Sequence, residues 1–216
     1  GEEGLTIAII DYGSGNLRSA QKAFERVASE LSLKSEVILT AHAEDVATAD
    51  HIVLPGVGAF TDCAAGLSSL DGMTDALGEA VMDGGKPFLG ICVGMQLLAT
   101  TGHEQVVTSG LNWLPGQVQK LEVDSTTHKI PHMGWNVLDV MNSHKVLEGL
   151  DGDSVYFVHS YAFRPDDPNH SLATTVHGAS FSSVVGRDNI IGTQFHPEKS
   201  QHVGLRLIKN FLEWRP

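Results

Sequence analysis

Short apolar runs alternate with helical repeats through the first half of the chain. Leu5-Thr6-Ile7-Ala8-Ile9-Ile10 is nearly uninterrupted, which predicts a strand covered on both faces. Leu17, Ala20, Phe24, Val27 and Leu31 then recur at helical spacing. Residues 51–54 and 88–91 predict two further buried strands. Strand and helix in alternation predict an α/β fold: a mostly parallel open sheet with helices on both faces. From about Gln117 the pattern changes. Segments 117–121, 135–140, 155–159, 172–176 and 181–185 predict shorter strands parted by turns, an antiparallel extension of the fold in the C-terminal half. Ser200 stands where it would cap a last helix, with Val203, Leu207, Ile208, Phe211 and Leu212 on the buried side. No linker, low-complexity stretch or repeat divides the chain, so one domain over residues 1–216 is expected.

Two segments more than a hundred residues apart carry the candidate chemistry. In Pro87-Phe88-Leu89-Gly90-Ile91-Cys92-Val93-Gly94-Met95-Gln96 a buried strand should turn sharply into a helix, with Cys92 at the turn between two glycines. That is a nucleophile elbow with sulfur in place of oxygen. Gly90 and Gly94 would let the backbone turn tightly, and the helix N-terminus would favour a thiolate. The alternative is a small buried core cysteine, a description that suits Cys63 in Thr61-Asp62-Cys63-Ala64 better. In Gly192-Thr193-Gln194-Phe195-His196-Pro197-Glu198, Pro197 should hold His196 extended. An extended chain turns residues i and i+2 to one side, so Glu198 would face the same pocket as His196. Nucleophile, base and orienting carboxylate are the parts of covalent acyl transfer.

Composition narrows the setting. The chain has 216 residues, 42% hydrophobic and 19% charged, as an ordinary globular domain would. A net charge of −12 lacks the basic footprint of a nucleic-acid groove. Two cysteines in unlike contexts form neither a disulfide framework nor a zinc spacing. Eleven histidines are scattered, with no metal-binding motif, so no metal or cofactor is expected. Gly1-Glu2-Glu3-Gly4 is acidic where a signal peptide would be basic, and no uncharged apolar run reaches membrane-spanning length. A reducing cytoplasm is the expected location, and Gly1 in place of Met suggests a start that is processed or artificially added. Gly13-Ser14-Gly15-Asn16 could cradle a phosphate, but Arg18 replaces the third glycine of the dinucleotide fingerprint, so a tight βα turn is expected. Asn169-His170-Ser171 matches a glycosylation sequon by chance.

Gly-Ile-Cys-Val-Gly-Met-Gln and Gln-Phe-His-Pro-Glu resemble the signatures of class I glutamine amidotransferases, the Cys-His-Glu type. Further stretches are similar to one subfamily, the glutaminases that serve a cyclase making imidazole glycerol phosphate in histidine biosynthesis. They are Asp11-Tyr12-Gly13-Ser14-Gly15-Asn16, Leu54-Pro55-Gly56-Val57-Gly58, His132-Met133-Gly134-Trp135-Asn136, Phe157-Val158-His159-Ser160-Tyr161 and Lys199-Ser200-Gln201. The resemblance spans about Ile7 to Trp214.

It implies that Cys92, His196 and Glu198 hydrolyse glutamine to glutamate and ammonia. The elbow places Val93 N–H as one oxyanion donor, and the resemblance assigns Val57 N–H as the second. It also implies that Gly56, Gly58, Gln96, Glu104, His159, Ser160 and Tyr161 hold the glutamine, although Gln96 could equally be solvated and Tyr161 core. No acceptor site is visible in the sequence, so the synthase would be a separate chain, and the resemblance implies a (β/α)8-barrel cyclase in a one-to-one heterodimer. Asn16, Arg18, Trp135 and Asn136 are the candidate interface, with a core position the alternative for Trp135. Two other functions compete: a stand-alone cysteine hydrolase for γ-glutamyl or ester substrates, and a catalytically dead binding module.

Overall fold

The computed structural model describes residues 4–31 and 34–216. The acidic start, Gly1 to Glu3, lies outside the described residues. Fourteen strands are assigned among them: β1 Leu5–Ile10, β2 Ser35–Thr40, β3 His51–Leu54, β4 Phe88–Ile91, β5 Thr101–Glu104, β6 Val106–Ser109, β7 Gly116–Lys120, β8 His132–Val137, β9 Asp139–Val140, β10 Ser154–His159, β11 Tyr161–Pro165, β12 Ser171–His177, β13 Ala179–Arg187 and β14 Ile190–Thr193. The α-helices are α1 Leu17–Glu30, α2 Ala43–Thr48, α3 Phe60–Ser69, α4 Met73–Leu77, α5 Val93–Gln96 and α6 Gln201–Glu213.

Eight strands form the main sheet in the order β2-β1-β3-β4-β14-β13-β12-β9. Neighbours from β2 to β14 run parallel, and β14, β13, β12 and β9 continue antiparallel. The expected parallel sheet with an antiparallel extension is therefore the observed one. Every residue of β3, β4 and β14 is buried, the sign of a sheet covered on both faces. The apolar side of α1 meets α6 through the edge-on rings of Phe24 and Phe211, 6.4 Å apart. A second sheet, β11-β7-β5-β6, and the β8–β10 pair complete the C-terminal half.

One register decides where the chemistry lies. Strands β4 and β14 pair in parallel with Gly90 opposite Gly192 and Ile91 opposite Thr193. Cys92 leaves the end of one strand as Gln194 leaves the end of the other. The two sequence motifs thus meet at the carboxyl ends of parallel strands, where open α/β sheets form their sites.

Three local expectations change. The segment expected as one strand over 135–140 is two, β8 and β9, with Leu138 fully buried between them. The chain there crosses from β10 to β12, and the apolar Leu138 turns into the core. The elbow helix α5 is a single α-turn, continued by i→i+3 bonds from Leu98 to Met95 and Ala99 to Gln96. A helix this short offers Cys92 little of the summed dipole expected of it. Ser200 occupies the N-cap position of α6, but its hydroxyl does not cap. It donates to the His196 carbonyl at 2.7 Å and accepts Tyr156 N–H at 3.0 Å, tying the start of α6 to the segment that carries the base.

Candidate active site

Cys92 adopts φ 57° with ψ −114°, a positive-φ conformation that a non-glycine residue rarely holds. The strain sits on the cysteine itself, while the flanking glycines serve close approach. A Cβ at Gly94 would lie 1.8 Å from the Leu54 carbonyl oxygen, and one at Gly90 would lie 2.7 Å from the Gly94 carbonyl oxygen. The elbow is pinned to β14 by Cys92 N–H donating to Thr193 O at 2.7 Å. Cys92 is 4% exposed, and its sulfur accepts Gln194 Nε2–H at 3.7 Å.

His196 is extended, as its position before proline predicts, with φ −97° and ψ 103°. Glu198 reaches it differently from the expectation. Pro197–Lys199 is a 3-10 turn, so Glu198 is not in an extended chain, and the turn itself swings the carboxylate back. His196 Nδ1 donates to Glu198 Oε1 at 2.8 Å, and both side chains are almost wholly buried. Burial alone would favour neutral His196. Hydrogen bonds to Cys92 and Glu198, and the charges those groups carry, outweigh it and raise the His196 pKa to about 9. At neutral pH the imidazole therefore holds its proton beside the sulfur.

A cavity of about 230 Å³ opens on this pair. Val57, Gly58, Cys92, Val93, Gln96, Glu104, His159, Ser160, Tyr161 and His196 all line it, so nearly every expected site residue converges. Gly56 is expected there and stands one layer back. A Cβ on it would meet the Tyr12 hydroxyl at 2.5 Å and Gly94 N at 2.8 Å, so this glycine lets the loop lie against the elbow. Gly58 holds φ 92°, so it alone of the two needs left-handed freedom. Gln96 is buried: its Nε2 donates to Tyr161 O at 3.3 Å and to Gln194 Oε1 at 3.1 Å. Glu104 Oε2 accepts Phe60 N–H at 3.0 Å.

Sequence reasoning assigned no role to Pro131, Val158 and Lys199, which also line the cavity, or to Gln194, which touches the sulfur. Gln194 lies inside the Gln-Phe-His-Pro-Glu stretch and Lys199 directly follows it, and that adjacency was the available signal.

Neither expected oxyanion donor is free. Val93 N–H donates to Gly56 O at 3.2 Å, and Val57 N–H donates to Ser14 Oγ at 2.9 Å. Cys63, buried as expected, also binds this loop: its thiol donates to Val57 O at 3.3 Å. Gly13 and Gly15, at φ 87° and 113°, form the expected tight turn, which places Ser14 on Val57.

Of the candidate interface residues, Arg18 is exposed and Asn16 half-buried. Trp135 is 48% exposed, with Met133 and Val137 on the same outward side of β8, so it is not a core residue. The Asn136 amide turns inward and donates to Val176 O at 2.8 Å. Among the described residues there is no group of three or more His, Cys, Asp or Glu side chains placed to hold a metal, and no helix is long and apolar enough to cross a membrane.

A cysteine elbow beside a buried His–Glu pair, at the end of a parallel sheet, is the arrangement expected of a glutamine amidotransferase of the Cys-His-Glu class. The class I glutamine amidotransferase family matches residues 8–214. Two solved glutamine amidotransferases share the fold. One has TM-score 0.70 at 21% identity, covering 96% of this chain and 97% of its own. The other, from Thermotoga maritima, has TM-score 0.64 at 17% identity, covering 98% and 84%. The chain belongs to the class I glutamine amidotransferase family and, within it, to the group of imidazole glycerol phosphate synthase HisH subunits. It is 53% identical over 216 residues to the HisH subunit of Rhodopseudomonas palustris, covering 98% of this chain and all of that one. It is 54% identical over 213 residues to that of Ruegeria pomeroyi, with the same coverage.

Proposed function

We propose that this chain is the ammonia-donating subunit of an imidazole glycerol phosphate synthase, folded as one amidotransferase domain over residues 1–216, and that Cys92, His196 and Glu198 are its catalytic triad. The β4–β14 register carries this reading, because it sets the sulfur beside a buried, proton-holding imidazole in a cavity lined with polar groups.

The Cys92 thiolate attacks the side-chain amide carbon of glutamine. The amide oxygen takes the negative charge, and Val93 N–H and Val57 N–H receive it once they leave their present partners. Each such donor is worth roughly 2.7–4 kcal/mol of barrier. His196 passes its proton to the leaving nitrogen, ammonia departs, and a glutamyl thioester remains on Cys92. His196 then takes a proton from water, hydroxide adds to the thioester, and glutamate is released with the thiolate restored. Glu198 holds the ring through Nδ1, so Nε2 faces the reaction. Gly58, Gln96, Glu104, His159, Ser160 and Tyr161 hold the glutamine.

Ammonia released into water would be protonated and lose its nucleophilicity. A cyclase barrel docked one-to-one over the cavity mouth would receive it dry. The outward stripe Met133-Trp135-Val137 on β8 supports a docking face there, and the exposed Arg18 and half-buried Asn16 remain candidates for a further part of it. The free thiols suit a cytoplasmic enzyme. The test is co-purification with a candidate cyclase, followed by assays with glutamine, γ-glutamyl peptides and esters. Hydrolysis of glutamine that rises with the cyclase is expected. Equal turnover of esters by the chain alone would instead identify a stand-alone hydrolase.

A further inference from the structure

Two buried histidines 27 positions apart share a hydrogen bond beside the cavity, His132 Nδ1 to His159 Nε2 at 2.8 Å. Burial, with the charges of His159 and His177, lowers the His132 pKa to about 3, and burial lowers that of His159 to about 4. Both rings are neutral at neutral pH, so each has one donor and one acceptor nitrogen.

Their surroundings allow one arrangement. The Tyr161 carbonyl lies 2.9 Å from His159 Nδ1 and can only accept, so that nitrogen carries the hydrogen. His159 Nε2 is then an acceptor, and His132 Nδ1 must donate to it. That leaves His132 Nε2 as an acceptor, and Asn136 Nδ2 lies 3.2 Å away to donate. The Asn136 amide is itself oriented by the backbone. Val137 N–H donates to its Oδ1 at 2.8 Å, and Val176 O accepts from its Nδ2 at 2.8 Å. The chain therefore runs one way, from Asn136 through His132 and His159 to Tyr161 O. The same carbonyl accepts from Gln96 Nε2, which also holds Gln194, the residue touching the nucleophile.

We propose that His132 is a positioning residue for glutamine binding. By donating from Nδ1 it confines His159 to the Nδ1–H tautomer, and that tautomer holds the Tyr161 carbonyl and the Gln96 amide as the cavity presents them. In the other tautomer a lone pair on His159 Nδ1 would face the Tyr161 carbonyl, two acceptors in contact, and this wall of the cavity would shift. The inference rests on the glutaminase reading for the ligand, and on the hydrogen-bond chain alone for the tautomers.

The His132 ring also stacks on His177, with centroids 4.1 Å apart, and on Phe157 at 4.9 Å, so packing and donation must be separated. His132→Phe keeps an aromatic ring and loses the donor. His132→Asn loses the ring and keeps an N–H near the Nδ1 position. Nitrogen-15 NMR of the full chain should show Nδ1–H tautomers for both His132 and His159, with His159 becoming a mixture in His132→Phe. In the complex with the cyclase, His132→Phe should raise the glutamine KM about tenfold, the size of one hydrogen bond, and change kcat much less. His132→Asn should restore most of the KM. A wild-type His159 in the Nε2–H tautomer would overturn the proposal. So would a larger KM defect in His132→Asn than in His132→Phe, because packing would then be the role. A wild-type complex without glutaminase activity would overturn the ligand reading and the role with it, while the NMR result would still decide the hydrogen-bond chain.

Discussion

The Val93 amide, directly after Cys92, donates to the Gly56 carbonyl at 3.2 Å. The group that should stabilise an oxyanion is thus occupied by the loop that should supply its fellow donor. Rotating the Gly56–Val57 peptide plane would withdraw that carbonyl, release Val93 N–H and free Val57 N–H from Ser14. The described state is a resting one in this reading, and the cyclase with its bound acceptor would favour the other. A shift from 1:99 to 99:1 takes about 5.5 kcal/mol of differential binding.

The isolated chain should therefore hydrolyse glutamine slowly, and the loaded complex at least about a hundredfold faster, the worth of one oxyanion donor. Steady-state assays of chain, complex, and complex with acceptor analogue measure this. Full activity in the isolated chain would sink the switch. Ser14→Ala removes the acceptor that holds Val57 N–H and should raise basal activity. Gly58→Ala strains a φ of 92° and should change the resting-to-activated ratio more than it changes thermal stability.

Cys92→Ser should abolish glutamine hydrolysis and leave the fold intact, because an unactivated hydroxyl is a weak nucleophile. Synthase activity fed by external ammonium should survive in the complex. Near wild-type glutaminase activity in the folded variant would exclude Cys92 as the nucleophile.

Glu198→Gln should slow turnover less than His196→Ala, since the carboxylate orients the base without itself transferring the proton. The contact is short and buried, and Glu198 Oε2 has no other partner, so an amide fits there without displacing a bond. Equal loss in the two variants, with undistorted structures, would assign Glu198 more than orientation.

Stability should fall as pH falls from about 6.5. His51, His132 and His159 remain neutral in the folded protein down to about pH 4, 3 and 4, whereas unfolded histidine takes a proton near 6.5. Across that window the unfolded chain binds more protons, so acid favours unfolding. His196 acts in the opposite sense. Its raised pKa contributes stability that is complete below about 6.5 and is lost as pH rises through about 9. Urea midpoints from pH 4 to 9 should trace both limbs. His51 is buried against Phe211, and neither ring nitrogen makes a hydrogen bond of normal geometry, although the Phe211 backbone lies near enough to favour the protonated ring. His51→Leu should therefore stabilise the chain by about 1–2 kcal/mol at pH 7, and by more at pH 5. A destabilised His51→Leu protein at pH 5 would refute this.

Much of this protein is local information and was legible in the residues. Apolar runs and repeats predicted β1, β3, β4, β7, β10, β12 and β13 and the helices α1 and α6, because burial of a periodic face depends on nearby spacing alone, while β2, β5, β6, β11 and β14 were not predicted from it. The glycines around Cys92 and the proline after His196 predicted the elbow and the extended base for the same reason. Where the expectation failed, a contact between distant residues had intervened. Ser200 would cap in isolation, but the free backbone of Tyr156 and His196 claims its hydroxyl. Glu198 meets His196 through a 3-10 turn that an extended reading does not contain.

The residues alone determined the fold class and the chemical groups of the site. Tertiary structure decided their partners. The β4–β14 register brings Gln194 to Cys92 across 102 positions, Ser14 reaches Val57 across 43, and His132 reaches His159 across 27. A hydrogen bond depends on distance and direction in space, and no periodicity along the chain encodes either. That is why the Cys, His and Glu motifs could be read from sequence, while the partners of the Val93 and Val57 amides and the one-way histidine pair emerge only once the sheet is assembled.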